Sequence, residues 1–172
     1  MRFAYADPPY EGMASRYTRE ARSHGAVSSE VSHPALIARL LAEFPDGWAL
    51  SCKTNSLRGL LPLCPASVRV LAWVKSFAPA YKGIRPVYTW EPVLLCGGRA
   101  RERNLLVLDA LNLSPRMGVA PRKTSGVLGA KPPGFCRWVL DALGYNPETD
   151  ELVDLFPGSG IMGRVAAQGI LA

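Results

Sequence analysis

The sequence has few of the residues that build disulfide scaffolds, metal centres or membrane spans. Its four cysteines are widely spaced and include no Cys-x-x-Cys pair, which favours reduced core residues over disulfide or metal roles. The two histidines have no metal-ligand cluster beside them, so we predict no metal site. No apolar run is long enough for a membrane helix, and the N-terminus lacks the basic-then-apolar pattern of a signal peptide. We therefore expect a cytoplasmic protein that has no membrane contact.

Basic residues exceed acidic ones, and the formal net charge is +6. This excess favours an acidic polymer as partner. Two groups of basic residues are candidates for contacting the phosphates of a nucleic acid: Arg16, Arg19, Arg22, Arg99, Arg101, Arg103, Arg116, Arg122 and Lys123. The alternative is that they form a solvated loop surface.

The 172 residues suit a single domain in which strand-like and helix-like segments alternate. Strands are predicted at 2–6, 47–51, 68–75, 86–96 and 151–155, and helices at 34–44, 57–61, 135–143 and 161–168. The alternation indicates an α/β fold with a mainly parallel sheet and an antiparallel hairpin at one edge. Residues 11–33 are polar and predicted to form a mobile lid, and 97–130 form a short basic segment.

The loop Asp7-Pro8-Pro9-Tyr10 follows the first strand. Its prolines fix φ and remove two backbone donors, so the turn is stiff and presents the Asp7 carboxylate, the Pro8 carbonyl and the Tyr10 ring. In isolation the motif has simpler interpretations. Asp-Pro-Pro can be a polar stop after an edge strand, and Tyr10 can pack only against the core.

A second loop, residues 154–160, follows the last strand and precedes the last helix. Gly158 and Gly160 allow the backbone to approach a ligand closely, as in nucleotide-binding strand-turn-helix units. Asp154 either contacts that ligand or caps the backbone amides that follow it. Ser159 either donates to the ligand or is small for close packing. Ligands of such sheets bind beyond the carboxyl ends of the strands, so the two loops meet there if the first and last strands are neighbours.

Taken together, these motifs resemble the amino-group DNA methyltransferases, which use S-adenosylmethionine (SAM) to methylate exocyclic nitrogens of adenine or cytosine. In that family Asp-Pro-Pro-Tyr is the catalytic loop, and Phe-x-Gly-x-Gly, here starting at Phe156, is the cofactor loop. The catalytic loop comes first, as in the circularly permuted beta group. Lys131-Pro132 resembles the Lys-Pro that opens the helix before the cofactor strand. Residues 70–75 and 88–95 also resemble the adenine methyltransferases, including the messenger-RNA adenosine branch.

The resemblance implies a Rossmann-like class I methyltransferase sheet that is circularly permuted and truncated. It also implies transfer of a methyl group from SAM to N6 of adenine in DNA, because Asp rather than Ser at the first motif position favours adenine. Asp7, Pro8, Pro9 and Tyr10 would form the catalytic loop. The residues implied to contact the cofactor are Asp7, Lys131, Asp154, Phe156, Pro157, Gly158, Ser159 and Gly160. The alternatives are cytosine N4, adenine in RNA, or a catalytically silent nucleic-acid-binding subunit.

Three further expectations concern the family pattern and the hairpin. The sequence stops at Ala172, whereas the family continues into a strand whose acidic end holds the cofactor ribose. We expect weak cofactor affinity, replacement of that carboxylate by Asp154 or by another residue, or completion of the site by a partner subunit or a homo-oligomer. The short segment 97–130 leaves little room for a target-recognition domain, so sequence selectivity should be short or relaxed. Lys75 and Glu91 are expected to pair across the hairpin rather than to act in catalysis.

Overall fold

The computed structural model describes residues 1–10, 31–75, 87–100, 107–113 and 130–168. The predicted lid lies outside the described residues except for its last three. Within the described part, the strands are β1 (Arg2–Ala6), β2 (Gly47–Ser51), β3 (Arg69–Val74), β4 (Trp90–Gly97), β5 (Ala110–Asn112) and β6 (Glu151–Asp154). The helices are α1 (His33–Glu43), α2 (Leu57–Leu60), α3 (Pro133–Leu143) and α4 (Ile161–Gln168).

The six strands form one sheet in the order β5-β3-β4-β2-β1-β6. β1 pairs in parallel with both β2 and β6, so the first and last strands are neighbours, as predicted. β4 is antiparallel to both β2 and β3, and β3 is parallel to β5. Five strands therefore run in one direction and β4 runs in the other. We call the end at which those five strands finish the carboxyl end of the sheet.

The predicted hairpin is present, but it does not lie at the edge of the sheet. β3 and β4 pair antiparallel, while β5 adds outside β3 and takes the edge position. β5 belongs to the segment 97–130, for which no strand was predicted. It has only three residues, Ala-Leu-Asn, too few to show the alternation that identifies a strand.

Helices cover both faces of the sheet, which explains why β1 is apolar on both sides. Phe3 and Tyr5 contribute to the core under α3 and α4, whereas Ala4 and Ala6 contribute to the core under α1. Successive side chains of a strand point to opposite faces, and a strand buried on both faces reads as a continuous apolar run. β1 is thereby held rigidly, and so is the start of the loop that follows it.

The helix boundaries follow from their capping residues. Ser32 accepts a hydrogen bond from the Ala35 amide (3.5 Å) at the start of α1, as an N-cap residue should. α3 ends at Gly144, whose φ of +69° lies in the left-handed region. A Cβ at this glycine would lie 2.7 Å from the Arg99 Cβ, so both the backbone and the close packing require glycine.

Candidate active site

The two loops singled out in the sequence meet at the carboxyl end of the sheet. Asp7 follows β1 directly, and Tyr5 is in register with Asp154 at the end of β6. The Leu155 amide then donates to the Tyr5 carbonyl (2.9 Å), which extends the pairing by one residue. Because β4 runs in the opposite direction, its first residues, including Glu91, arrive at this same end. Segments far apart in sequence therefore converge on one site.

Four charged side chains form the centre of the site, and we call Asp7, Lys75, Glu91 and Lys131 the charged cluster. Lys131 Nζ lies 3.0 Å from Asp7 Oδ1 and 3.7 Å from Glu91 Oε2. Lys75 Nζ bonds the other oxygen of Glu91, so the predicted cross-strand pair is present. The Lys131 side chain is only 9% exposed. Two cations and two carboxylates balance, which is the condition for burying such groups.

Aromatic rings surround the Lys131 ammonium. Its Nζ lies 5.6 Å from the Trp73 ring centroid, 5.7 Å from that of Phe135 and 5.8 Å from that of Tyr10. These distances are within the range of cation–π attraction. The Tyr10 hydroxyl donates to Glu91 Oε2 (3.1 Å). The Tyr10 ring is therefore held against the charged cluster.

The cluster sets the protonation states of its members. Burial raises the pKa of the Asp7 carboxyl, although the Lys131 ammonium beside it acts in the opposite direction. Burial alone would raise the pKa of Glu91 too, but Lys131 and Lys75 together hold it below its ordinary value. Burial disfavours the Lys131 cation, yet Asp7 and its other neighbours keep its pKa well above the usual range. Their neighbours thus favour the ionised forms of Lys131 and Glu91, whereas burial of Asp7 favours its protonated form.

The cofactor loop predicted from sequence forms a tight turn. Asp154 Oδ1 accepts a hydrogen bond from the Phe156 amide (3.1 Å), which is the capping alternative. Burial, opposed by that amide and assisted by the Asp7 charge, raises the pKa of Asp154 to about 6. Gly158 (φ +47°) and Gly160 (φ +68°) are both left-handed. Those angles favour glycine and turn the backbone just before α4 begins.

Two buried polar groups support the site from below. The Tyr5 hydroxyl and Ser51 Oγ are 3.0 Å apart and hydrogen-bonded, which links β1 to β2 beneath Asp7.

Burial raises the pKa of Cys136 and of Cys52 to about 12. Their thiols stay protonated at neutral pH, so neither is a nucleophile. All four cysteines are free, in agreement with their interpretation as reduced residues.

Of the predicted nucleic-acid contacts, Arg99 alone lies within the described residues. Its guanidinium donates to both carboxylate oxygens of Asp150 (2.7 Å each) and to the Gly144 carbonyl (3.1 Å). These bonds lie at the amino end of the sheet, opposite Asp7, where they hold the turn after α3. They argue against the predicted phosphate contact at Arg99. Arg16, Arg19, Arg22, Arg101, Arg103, Arg116, Arg122 and Lys123 lie outside the described residues.

Sequence reasoning missed the extent of the charged cluster. It identified Lys131 by a motif and paired Lys75 with Glu91 by cross-strand position, but it did not join the two. The sequence did contain a signal, namely the predicted antiparallel hairpin. Because β4 runs opposite to the other strands, its first residues reach the same end of the sheet as the end of β1.

Among the described side chains, no group of three or more His, Cys, Asp or Glu is placed to hold a metal ion. No described helix is long and apolar enough to cross a membrane.

Comparison with known proteins identifies the fold. No family model matches the sequence, and no curated protein matches it. The structure is similar to the crystal structure of the M1.HpyAVI–SAM complex, with a TM-score of 0.56 and 16% sequence identity. The similarity covers 97% of this chain and 78% of that one. The architecture of the chain is therefore the Rossmann-like α/β fold of that protein.

Proposed function

We propose that the chain is a SAM-dependent methyltransferase that transfers a methyl group to the exocyclic N6 of adenine in DNA. The observation that carries the proposal is the junction of two loops. The Asp7-Pro8-Pro9-Tyr10 turn and the glycine turn after β6 lie side by side on paired strands. One loop offers acceptors for an amino group, and the other offers a bent backbone for a cofactor.

The residues present fit SAM as the cofactor. Left-handed glycines at 158 and 160 keep side chains away from the turn that precedes α4, and this is the strand-turn-helix arrangement that binds nucleotide-like groups. The related M1.HpyAVI structure is a complex with SAM, which supports the same cofactor here. Lys131, Asp154 and residues 156–160 would hold it. When bound, SAM supplies a methyl group on a positively charged sulfur, which is an activated leaving group.

The chain's own residues would prepare the amino group. The adenine amino group is a poor nucleophile because its lone pair is delocalised into the ring. Acceptors for its two hydrogens, the Asp7 carboxylate and the Pro8 carbonyl, favour a pyramidal nitrogen whose lone pair is directed at the methyl carbon. With SAM bound, the nitrogen–carbon bond would form as the carbon–sulfur bond breaks, and the electron pair of the broken bond would stay on sulfur. N6 then loses one proton, which the Asp7 carboxylate accepts. Acceptors fixed in advance where charge develops are a large catalytic contribution.

Glu91 provides a second carboxylate partner for Lys131 when a substrate amino group displaces Lys131 from Asp7. Lys131 lies 3.0 Å from Asp7 and 3.7 Å from Glu91, so an amino group that takes its place at Asp7 leaves it with a carboxylate partner. A buried ammonium without one would be costly. Tyr10, already hydrogen-bonded to Glu91, would stack on the base extruded from its helix or presented in a single strand.

Cytosine N4 and adenine in RNA are alternatives within the same chemistry, because both present an exocyclic amino group to the same acceptors. A catalytically silent nucleic-acid-binding subunit is the alternative from another class. The intact acceptors and the ionised charged cluster favour catalysis over that alternative.

The test is to incubate the protein with methyl-labelled SAM and with unmodified DNA or RNA, single- and double-stranded, and to identify the labelled nucleoside after digestion. We expect N6-methyladenine from DNA. Label in N4-methylcytosine or in RNA would replace the proposed substrate by one of the alternatives. SAM binding without label in any polymer, or no SAM binding at all, would contradict the proposed activity.

A further inference from the structure

A basic corner borders the proposed site on the side of β2. We use this name for Lys53, which follows β2, and Arg58, which lies on α2; both side chains are exposed. Neither has an ion-pair partner among the described residues. No Asp or Glu occurs in the sequence between Asp46 and Glu91. The corner therefore carries positive charge that its own segment does not neutralise.

Hydrogen bonds on both sides of Lys53 fix that part of the corner beside the charged cluster. The Cys52 amide donates to the Pro92 carbonyl (3.1 Å), and Thr54 Oγ1 donates to the Trp90 carbonyl (3.1 Å). The backbone of Lys53 is thus tied on both sides to the residues that flank Glu91. Glu91 in turn accepts from the Tyr10 hydroxyl. Lys53 is held next to the loop at which the target base would sit, although it is 46 positions away from Asp7 in the sequence.

We propose that Lys53 and Arg58 form a phosphate-binding surface that holds the nucleic-acid backbone while the target base enters the Asp7 loop. This inference rests on the proposed function: if a base of a nucleic acid binds at Asp7, the phosphates of the same nucleic acid lie against the neighbouring surface. A nucleotide whose base reaches Asp7 brings its flanking phosphates to the rim of the site. Exposed, unpaired lysine and arginine side chains on a fixed backbone are the groups that contact such phosphates. A second observation agrees with this position: β2 and β1 are parallel and adjacent, so both end at the same rim.

The experiment compares charge reversals at two places. Because the corner variant reverses two side chains and the control reverses one, the single variant Arg58→Glu is measured as well, and it matches the control in both chemistry and charge. Lys53→Glu/Arg58→Glu reverses the basic corner. Arg69→Glu is the control, because Arg69 is also exposed and unpaired among the described residues but lies at the start of β3, at the amino end of the sheet. Binding is measured by fluorescence anisotropy with a labelled single-stranded DNA, its duplex and the RNA of the same sequence, across a series of salt concentrations. Circular dichroism melting and SAM binding confirm that each variant is folded.

We expect the corner variant to bind nucleic acid about tenfold or more weakly at low salt, and its salt dependence to fall by roughly the slope of two phosphate contacts. Arg69→Glu should stay within about twofold of the wild-type protein, since it lies away from the rim. The inference is overturned if the corner variant keeps wild-type affinity, if Arg69→Glu loses as much, or if the wild-type protein binds no nucleic acid. Preferential binding to phosphatidylserine vesicles would also overturn it. These outcomes are separate from the proposed activity, because a protein that binds nucleic acid through this corner but transfers no methyl group would contradict the activity and leave the surface in place.

Discussion

At the scale of single residues, the role proposed for Asp7 places two opposing demands on its carboxyl group. It must be ionised to accept hydrogen bonds from an amino group, yet burial raises its pKa. Lys131, 3.0 Å away, stabilises the ionised form. The same burial lowers the local dielectric and strengthens any interaction with charge that develops on the substrate. In the proposed reaction, Lys131 therefore favours the ionised carboxylate of Asp7, while burial strengthens the interaction of that carboxylate with the substrate.

Replacing Asp7 with alanine tests its role directly. If it accepts from the amino group, Asp7→Ala should reduce methyl transfer by roughly 10²–10³-fold or more, the magnitude found when one fixed polar group is removed from a transition-state site. SAM affinity, measured by calorimetry, should change little. Glu148→Ala, at an exposed position in the turn after α3, is the control and should retain full activity. Asp7→Asn preserves the side-chain shape in case the alanine variant is unstable. Undiminished transfer by a folded variant would refute the assignment.

Asp154 gives a pH-dependent prediction of a different kind. Its folded pKa of about 6 lies above that of an unfolded Asp, so its contribution to stability is fully present below about pH 4 and is lost as the pH rises through about 6. Asp154→Asn removes this charge but keeps an oxygen for the Phe156 amide. We expect the variant to exceed the wild-type free energy of unfolding at pH 8 by about 1–2 kcal/mol, after allowance for solvent screening, and to match it near pH 4.

Urea denaturation at pH 4 and pH 8 measures this difference in the free energy of unfolding. The variant Asp150→Asn is matched in chemistry and should change the free energy of unfolding at pH 8 in the opposite direction. Despite its burial, hydrogen bonds from Arg99 hold the pKa of Asp150 below its ordinary range. The stability that Asp150 contributes is therefore present above its unfolded pKa and is lost only as the pH falls through its lower folded pKa. Asp150→Asn should destabilise the protein at pH 8 and less so in acid. Equal effects of Asp154→Asn at pH 4 and pH 8 would show that Asp154 is not the titrating group.

At the scale of elements, the β3–β4 hairpin brings part of the charged cluster to the site. Lys75 and Glu91 are 22% and 24% exposed, so their ion pair is screened less than one on the surface. Glu91→Gln should lower the free energy of unfolding by about 1–3 kcal/mol, because it removes a partner from both Lys75 and Lys131. A double-mutant cycle of Glu91→Gln with Lys75→Met should give a coupling energy of about 0.5–3 kcal/mol.

The exposed pair Arg39–Glu43 on α1 is the reference for that cycle. Its nitrogen and oxygen are 3.0 Å apart, and its side chains are 52% and 44% exposed. A helical surface pair of this kind couples by only about 0.3–0.5 kcal/mol. If the Lys75–Glu91 coupling is no larger than this reference, the charged cluster does not stabilise the hairpin.

The sequence predicted the elements whose signals are local. β1 and β2 are short apolar runs, and α3 has both its apolar spacing and a terminating glycine at 144, so their positions were confirmed. β5 was missed because three residues carry no periodicity and because its pairing with β3 is decided by tertiary contact. The extent of the charged cluster was missed for the same reason, because no local sequence pattern shows that position 7 lies near positions 91 and 131.

At the scale of the whole molecule, the order of the chain matters to the site. β1 at the beginning and β6 near the end pair with each other, and they carry the two loops of the site. The site cannot form from either part of the chain by itself. Binding at the site should therefore stabilise strands from both parts together, whereas the opposite edge of the sheet, at β5, should be affected least.

Hydrogen–deuterium exchange measured by mass spectrometry tests this organisation. In the free protein we expect the slowest exchange in β1 and β2, which pair on both sides and are buried apart from Arg2, and faster exchange in β5, which lies at the edge and is largely exposed. Such a gradient follows from local opening of poorly buried elements. Saturating SAM should slow exchange in peptides covering residues 5–10 and 151–160 together and leave β5 unchanged. Protection in only one of those two segments would contradict a single site built on paired strands, because a ligand that contacts both loops shifts the opening equilibrium of both.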